Sequence, residues 1–437
     1  MKYLRIANYQ ELLNQITLYS QLKHEYGTKD VQIVLDYVER ILRTSVRAIK
    51  QLPIDKELAR KEPNDLAKIR RLRARGPRLL WHTLDKNLYA EKVEGALLAR
   101  MAGCTLGAIV EGSQVNQMEE WAKEIGDKFP PVDYWTQARA PLLRRYGTSQ
   151  CIEYTRGGMN GVPVDDDIAY TLLGLLIVEE FGPDFTTEDV AKAWLTYLPF
   201  ACTAEHIALM NLKAGVPARK AAEKDNPYCQ WIGADIRSDP WGYMAPGLPE
   251  KAAEMAYRDA FLSHRRNGIH GEMFFSAAQS AAFAVDNPVD ALKIGLTEIP
   301  KDCKLAADVR WALRVGNRIK NYRDARRAVD ERFKGMHPVH TNNNACLTIF
   351  GLMIGGTDVT RVLSETVAMG MDNDCTTATA GSIVGAIVGK KGVPKHWYKR
   401  FNNTVHSYLI NRKKFKITAL IKRFTRQAER VFDACDY

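Results

Sequence analysis

The run Met369-Gly-Met-Asp372-Asn-Asp374-Cys-Thr-Thr-Ala-Thr-Ala-Gly-Ser-Ile-Val-Gly-Ala-Ile-Val-Gly389 sets two carboxylates directly before a helix made mostly of small residues. Small side chains allow a neighbouring backbone to approach closely. The Asp-x-Asp spacing lets both carboxylates converge from one tight turn. Hard oxygen ligands of this kind suit Mg2+ or Mn2+ rather than zinc.

A second acidic run lies upstream: Gly161-Val-Pro-Val-Asp165-Asp166-Asp167-Ile-Ala-Tyr, again leading into an apolar helix. A helix N-terminus stabilises negative charge by only ~0.3–1 kcal/mol per acid. Three adjacent carboxylates repel one another unless a cation neutralises them. Two such clusters on two helix starts predict a pair of divalent cations roughly 3.5–4 Å apart. A third segment, Glu94-Gly95-Ala-Leu-Leu-Ala-Arg-Met-Ala-Gly103-Cys-Thr-Leu-Gly107-Ala-Ile-Val-Glu111, carries three glycines at helical spacing. Each costs about 1 kcal/mol of helix propensity, which tight packing against another helix or a ligand would offset. Glu111 emerges at the end of that buried helix.

Outward from these segments the 437 residues read as helices almost throughout, with 46% apolar and 26% charged residues. Helical periodicity marks Asp30–Leu52, Leu88–Gly103, Ile168–Phe181, Val190–Leu198, Glu250–His264, Phe274–Asp286, Leu305–Phe333 and Asn344–Gly355. Most are punctuated by turns such as Gly182–Pro183 and Asn287–Pro288. The pattern predicts an all-α, compact multi-helix bundle over residues 91–437, preceded by a basic helical amino-terminal extension over residues 1–90. Leu305–Phe333, with its row of arginines, reads as one long outer helix.

The longest apolar stretches, around Ala345–Gly356 and Thr376–Gly389, are too short and glycine-rich to cross a bilayer. The polar start MKYLRIANYQELLNQ lacks a signal-peptide core, so a cytoplasmic protein without membrane partners is expected. Eight scattered cysteines, Cys435 the last of them, form no CxxC pair. The net charge of +11 favours acidic partners, nucleic acid among them. Much of it lies in Lys61–Arg78 and in the tail from Lys395, which read as solvated helix faces. No nucleic-acid-binding signature accompanies them.

In this order the three segments resemble the ADP-ribosylglycohydrolase family. Its opening helix repeats glycine every fourth residue before a glutamate; Gly95, Gly103, Gly107 and Glu111 keep the spacing and Ala99 departs from it. Its Thr-Asp-Asp-Thr run corresponds to Asp165–Ile168, and its Asp-x-Asp-Thr run to Asp372–Cys375. Trp231–Gly247 and Leu262-Ser-His264 resemble segments that contact the rest of the nucleotide.

The resemblance implies a hydrolase that releases ADP-ribose from an acceptor: a protein side chain, nucleic acid or a small molecule. It implies two divalent cations, Mg2+ before Mn2+, held by Asp166, Asp167, Asp372 and Asp374, with Asp165 close behind. Glu111 is the implied acid–base, acting with Asp166 and Asp374. Gly233, Arg237, His264 and Gly370 are the implied substrate contacts, with Trp231, Trp241 and Tyr243 as stacking candidates. Asn343 either joins them or, with Asn344, caps the helix that follows.

Two departures stand out. Asp165 replaces a threonine hydroxyl and adds a negative charge, and Cys375 replaces a threonine ligand with a thiol, a poor ligand for Mg2+. Thr376 is the alternative ligand there. A terpene synthase, also all-α and aspartate-rich, is excluded because Ala169, Tyr170 and Gly381 stand where its acids belong. The remaining alternative is a catalytically weak or inactive ADP-ribose-binding protein on the same fold. Monomer and small homo-oligomer both remain open.

Overall fold

Glycines and alanines decide how the central helices meet. The computed structural model describes residues 3–4 and 6–434, so Cys435 lies outside the described residues. In it the opening helix Lys86–Ala108 packs against the second-cluster helix Asn373–Gly392 at backbone contact. A Cβ on Gly103 would fall on the Thr377 carbonyl, and one on Gly107 on the Asp374 backbone. Ala99, the departure from the glycine repeat, fits because Gly381 faces its carbonyl. This contact fixes Asp374 relative to the end of the helix that leads to Glu111. The second-cluster helix breaks at Gly389 (φ 66°), where the Glu91 carboxylate accepts from Lys391 N at 3.1 Å.

The protein is all-α. Its strands, among the described residues, are two short antiparallel pairs: Arg144–Arg145 with Ser149–Gln150, and Thr404–His406 with Lys414–Lys416. No helix among the described residues is long and apolar enough to cross a membrane. The buried arginine of the opening helix ties its layers together. Arg100 donates to Thr171 Oγ1 (2.8 Å) and to the carbonyls of Asp167 (2.8 Å) and Ile236 (2.7 Å), and it pairs with Asp239 at 2.5 Å.

The chain divides into Met1–Arg60 and Lys61–Tyr437. The boundary therefore falls thirty residues before the expected 90/91, because residues 61–90 are pinned to the larger unit by ion pairs. Arg73 meets Glu250 (2.7 Å) and Glu298 (2.5 Å), Arg70 meets Glu254 (3.0 Å), and Arg78 meets Glu298 (3.1 Å). The basic stretch is thus partly neutralised by acids remote in sequence. Within Met1–Arg60, helices Tyr9–Glu25 and Val31–Lys50 follow one another across Gly27 (φ 81°).

The long outer helix is corrected. Lys304–Val315 ends at Gly316, a 3-10 turn covers Gly316–Arg318, and Tyr322–Arg332 restarts with Asn321 capping Arg323 and Asp324. A side chain on Gly316 would collide with Met353. The chain turns there because Gly316 admits the close packing and Asn321 supplies a cap.

One consequence concerns acid stability. His270 Nε2 donates to the Pro63 carbonyl at 3.0 Å, while its Nδ1 is buried without a partner. Burial pushes its pKa down from 6.5 to about 4. A depressed folded-state pKa gives stability that is complete above the unfolded value and is lost as pH falls through that range. Between pH 6.5 and 4 the loss attributable to His270 should be on the order of 3 kcal/mol. Urea midpoints across that range should fall steeply in the wild type and less steeply in His270→Asn.

Candidate active site

Asp165 takes an extended conformation (φ −149°, ψ 152°) and caps the helix Asp166–Phe181, its carboxylate accepting from Asp167 N at 3.2 Å. The apolar body of that helix is buried from Asp167 to Val178, so the acids at its start are anchored from below. On the other side, Gly370 (φ 71°) and Met371 (φ 63°) form a left-handed turn before Asp372. Three bonds hold the turn: Gly112 N to the Met371 carbonyl (2.9 Å), Asp372 N to Asn344 Oδ1 (3.3 Å), and Asn373 Nδ2 to the Val367 carbonyl (3.1 Å).

The two helix starts and Glu111 face one cavity of about 160 Å3. Glu111, Asp166, Asp167, Asp372, Asp374 and Cys375 line it, with Tyr170, Glu205, Trp231 and Gly233 among the residues opposite. The absent Cβ of Gly233 leaves room for the Glu205 carboxylate. Trp231 stacks on His337 with ring centroids 4.0 Å apart.

Burial, reinforced by neighbouring carboxylates, pushes Asp165, Asp167 and Asp372 well above the usual carboxylate range. Glu111 rises to about 7, first through the charge of Asp374 and then through burial, against the pull of Arg145. Its side chain is 43% exposed, so the adjacent carboxylate is the dominant cause. An acid poised there holds or releases a proton near neutral pH. Asp167 Oδ1 is buried without a hydrogen-bond partner, and the oxygen-rich donor set around it fits a hard divalent cation. Burial, with the neighbouring carboxylates, pushes the Cys375 thiol up, and it donates to Asp167 Oδ2 at 3.4 Å. Its sulfur also lies within ligand distance of Asp372 and Asp374, a group that could hold a metal ion. Thr376 Oγ1 is buried without a partner and does not line the cavity.

A residue that the sequence reading missed sits among the acids. Arg145, on the first strand pair, pairs with Glu111 (2.8 Å), Asp165 (3.0 Å) and Asp374 (3.1 Å) and donates to the Ala108 carbonyl (2.6 Å). Beside it the Tyr146 hydroxyl donates to Asp166 Oδ1 at 2.6 Å. The extra negative charge of Asp165 is answered by this guanidinium, and Asp165 is absent from the cavity lining. Asp165 is thus a partner of Arg145 and, grouped with Asp167 and Cys104 within ligand distance of one another, still a candidate ligand. Arg145→Ala should cost about 3–5 kcal/mol in metal-free protein, because removing one partner leaves buried carboxylates uncompensated. Thermal unfolding should show much of that loss recovered at saturating Mn2+; an equal loss with and without the cation would contradict this role.

Four further expectations are corrected. Arg237 is buried and fully engaged by Asp259 (2.7 Å), Glu205 (3.0 Å), Glu272 (3.4 Å) and Ser263 Oγ (3.0 Å), leaving no charge for a diphosphate. His264 is fully buried, with Nδ1 bonded to Ser263 Oγ at 2.8 Å, and does not reach the cavity. Asn343 bonds the His337 carbonyl and Asn344 N in the first turn of Thr341–Gly355, so it serves the helix start. Gly370 shapes the turn against the Ser113 carbonyl and does not line the cavity. Trp241 and Tyr243 belong to the core, whereas Trp231 faces the cavity. Glu205, also missed, is pushed up to about 7, chiefly by burial.

A family model described as ADP-ribosylglycohydrolase matches residues 85–433. Among solved structures, one described as an ADP-ribosylglycohydrolase-related protein complex aligns with a TM-score of 0.50 and 17% identity. The alignment covers 79% of this chain and 99% of that one, and at this identity it speaks for the fold alone. Curated proteins give no match.

Proposed function

This chain belongs to the ADP-ribosylglycohydrolase family, and from that premise we propose that it is a metal-dependent hydrolase that splits the glycosidic bond between ADP-ribose and an acceptor. The observation that carries the proposal is the meeting of Glu111, Asp166, Asp167, Asp372 and Asp374 around one cavity. That cavity is smaller than the roughly 300–1,000 Å3 of typical ligand pockets. It suits one end of an extended nucleotide sugar, the distal ribose, with the remainder lying outside.

Hydrolysis adds water across the bond between the anomeric carbon and the acceptor atom, through an oxocarbenium-like state. The leaving atom needs a proton and the water must lose one. Glu111, at the cavity rim beside Asp374 and Asp166, is placed to handle that proton. Two divalent cations held by Asp166, Asp167, Asp372 and Asp374, Mg2+ before Mn2+, would supply Lewis acidity and positive charge beside the sugar. Arg145 holds Glu111 and one side of Asp374 in register, and Tyr146 orients Asp166. Trp231 and Gly233 offer an aromatic face and an open backbone where the sugar continues outward.

The Arg145–Glu111 pair favours one second reading, an ADP-ribose-binding protein whose acid–base is restrained. Calorimetric titration of metal-free protein with Mg2+ and Mn2+ should show saturable binding that Asp166→Ala and Asp374→Ala abolish. Absence of binding, or binding unchanged in both variants, would remove the metal centre from the proposal.

A further inference from the structure

Two cysteines sit among the acids, on two different helices. Cys104, on the opening helix, has its sulfur grouped with carboxylate oxygens of Asp165 and Asp167, all within 4.8 Å of one another. Cys375, on the second-cluster helix, forms the same kind of group with Asp372 and Asp374. Asp167 joins the two groups, because its Oδ2 lies 3.4 Å from the Cys375 sulfur. The glycine contact sets this register: Gly103 against Thr377 and Gly107 against Asp374 bracket the two thiols. All six residues are buried, Asp372 being the most exposed at 8%.

Packing does not account for the arrangement. A buried cysteine ordinarily serves as a small hydrophobe, but these two lie against four carboxylates. Arg145, 3.0 Å from Asp165 and 3.1 Å from Asp374, answers part of that charge. Asp167 Oδ1 has no hydrogen-bond partner, and its ion pair with Arg100 is 3.7 Å long. A buried oxygen left in that condition is costly, and a bound cation satisfies it. The donor set chooses the ion: Mg2+ takes oxygen and disfavours thiolate, whereas Zn2+ accepts both. On a tetrahedral zinc, bonds of about 2.3 Å to sulfur and about 2.1 Å to oxygen set those donors about 3.6 Å apart. The Cys375–Asp167 separation of 3.4 Å is close to that.

We propose that the centre is thiophilic, binding Zn2+ in preference to Mg2+ or Mn2+ through one thiolate in each group, Cys104 and Cys375, with Asp167 between them. This presupposes the metal centre of the proposed hydrolase and sets its ion preference. Each ligating thiol releases its proton to solvent.

Co2+, a coloured stand-in for Zn2+, tests this when titrated into the full metal-free chain under reducing conditions. The wild type should develop a sulfur-to-cobalt charge-transfer band in the near ultraviolet, which excess Zn2+ removes. Cys104→Ser and Cys375→Ser should each lower the band, and the double variant should lack it. Cys202→Ser, at an exposed thiol on the same cavity, should leave it intact. Mn2+ binding should persist in the double variant, while the preference for Zn2+ over Mn2+ falls roughly tenfold or more. Cobalt bound without a sulfur band, a band at full height in either single variant, a band lost in Cys202→Ser, or an unchanged zinc preference in the double variant would overturn the thiol ligation and leave the metal centre standing. Absence of binding by Co2+, Zn2+, Mg2+ and Mn2+ alike would overturn both.

Discussion

Glu111→Gln should slow ADP-ribose release by a hundredfold to ten-thousandfold, the range expected when a positioned acid–base is removed. The amide keeps the size of the side chain and can still accept from Arg145, whose guanidinium lies 2.8 Å from the carboxylate. Only the titratable proton is lost. Cation binding by Asp166, Asp167, Asp372 and Asp374 should survive, and so should the thermal midpoint, because the Glu111 side chain sits at the cavity rim. The effect belongs in kcat, with little change in KM. A loss below tenfold would place the proton transfer on another group, and Glu205, also on the cavity and titrating near 7, is the first to examine.

The second large effect is structural. Gly103→Leu should leave no stably folded protein at 37 °C. Its Cβ would fall on the Thr377 carbonyl, a backbone atom that cannot swing aside. The opening helix and the second-cluster helix would have to separate along their shared length, and Asp374 would move away from the Asp166 side. Core overpacking usually costs about 1–3 kcal/mol, and more where backbone is in the way. A marginal stability of roughly 5–15 kcal/mol leaves little room for such a change. Gly157→Ala, at a glycine with open space around it, should be nearly neutral and serves as control. Soluble Gly103→Leu protein with a wild-type urea midpoint would contradict the close packing described here.

How much of this was legible depended on whether the determining contacts were local. Each acidic cluster is a turn followed by a helix, and Gly95, Gly103 and Gly107 repeat at helical spacing, so the central helices and their acids could be read directly. Asp165 gave half of a further signal: one negative charge too many calls for a cation. Nothing in Arg144-Arg145-Tyr146 says that it folds back over residues more than two hundred positions away, so Arg145 could not be identified. Arg237 shows the opposite error. An arginine near a glycine reads as an anion binder, and only the fold brings Asp259, Glu205 and Glu272 around it. Lys61–Arg78 was likewise read as exposed because Glu250, Glu254 and Glu298 are remote in sequence. The break at Gly316 was hidden because helical patterns lie on both sides of it.

The central claim is that this cluster of acids cleaves ADP-ribose from an acceptor with the help of divalent cations. It is tested most directly by offering the full chain ADP-ribose linked to arginine, to serine, to nucleic-acid ends and to small molecules, with Mg2+ or Mn2+, and measuring free ADP-ribose. The expected result is release from at least one linkage, abolished by chelator and by Asp374→Ala. Release from none of them with cation present, or release that persists in chelator, would contradict it.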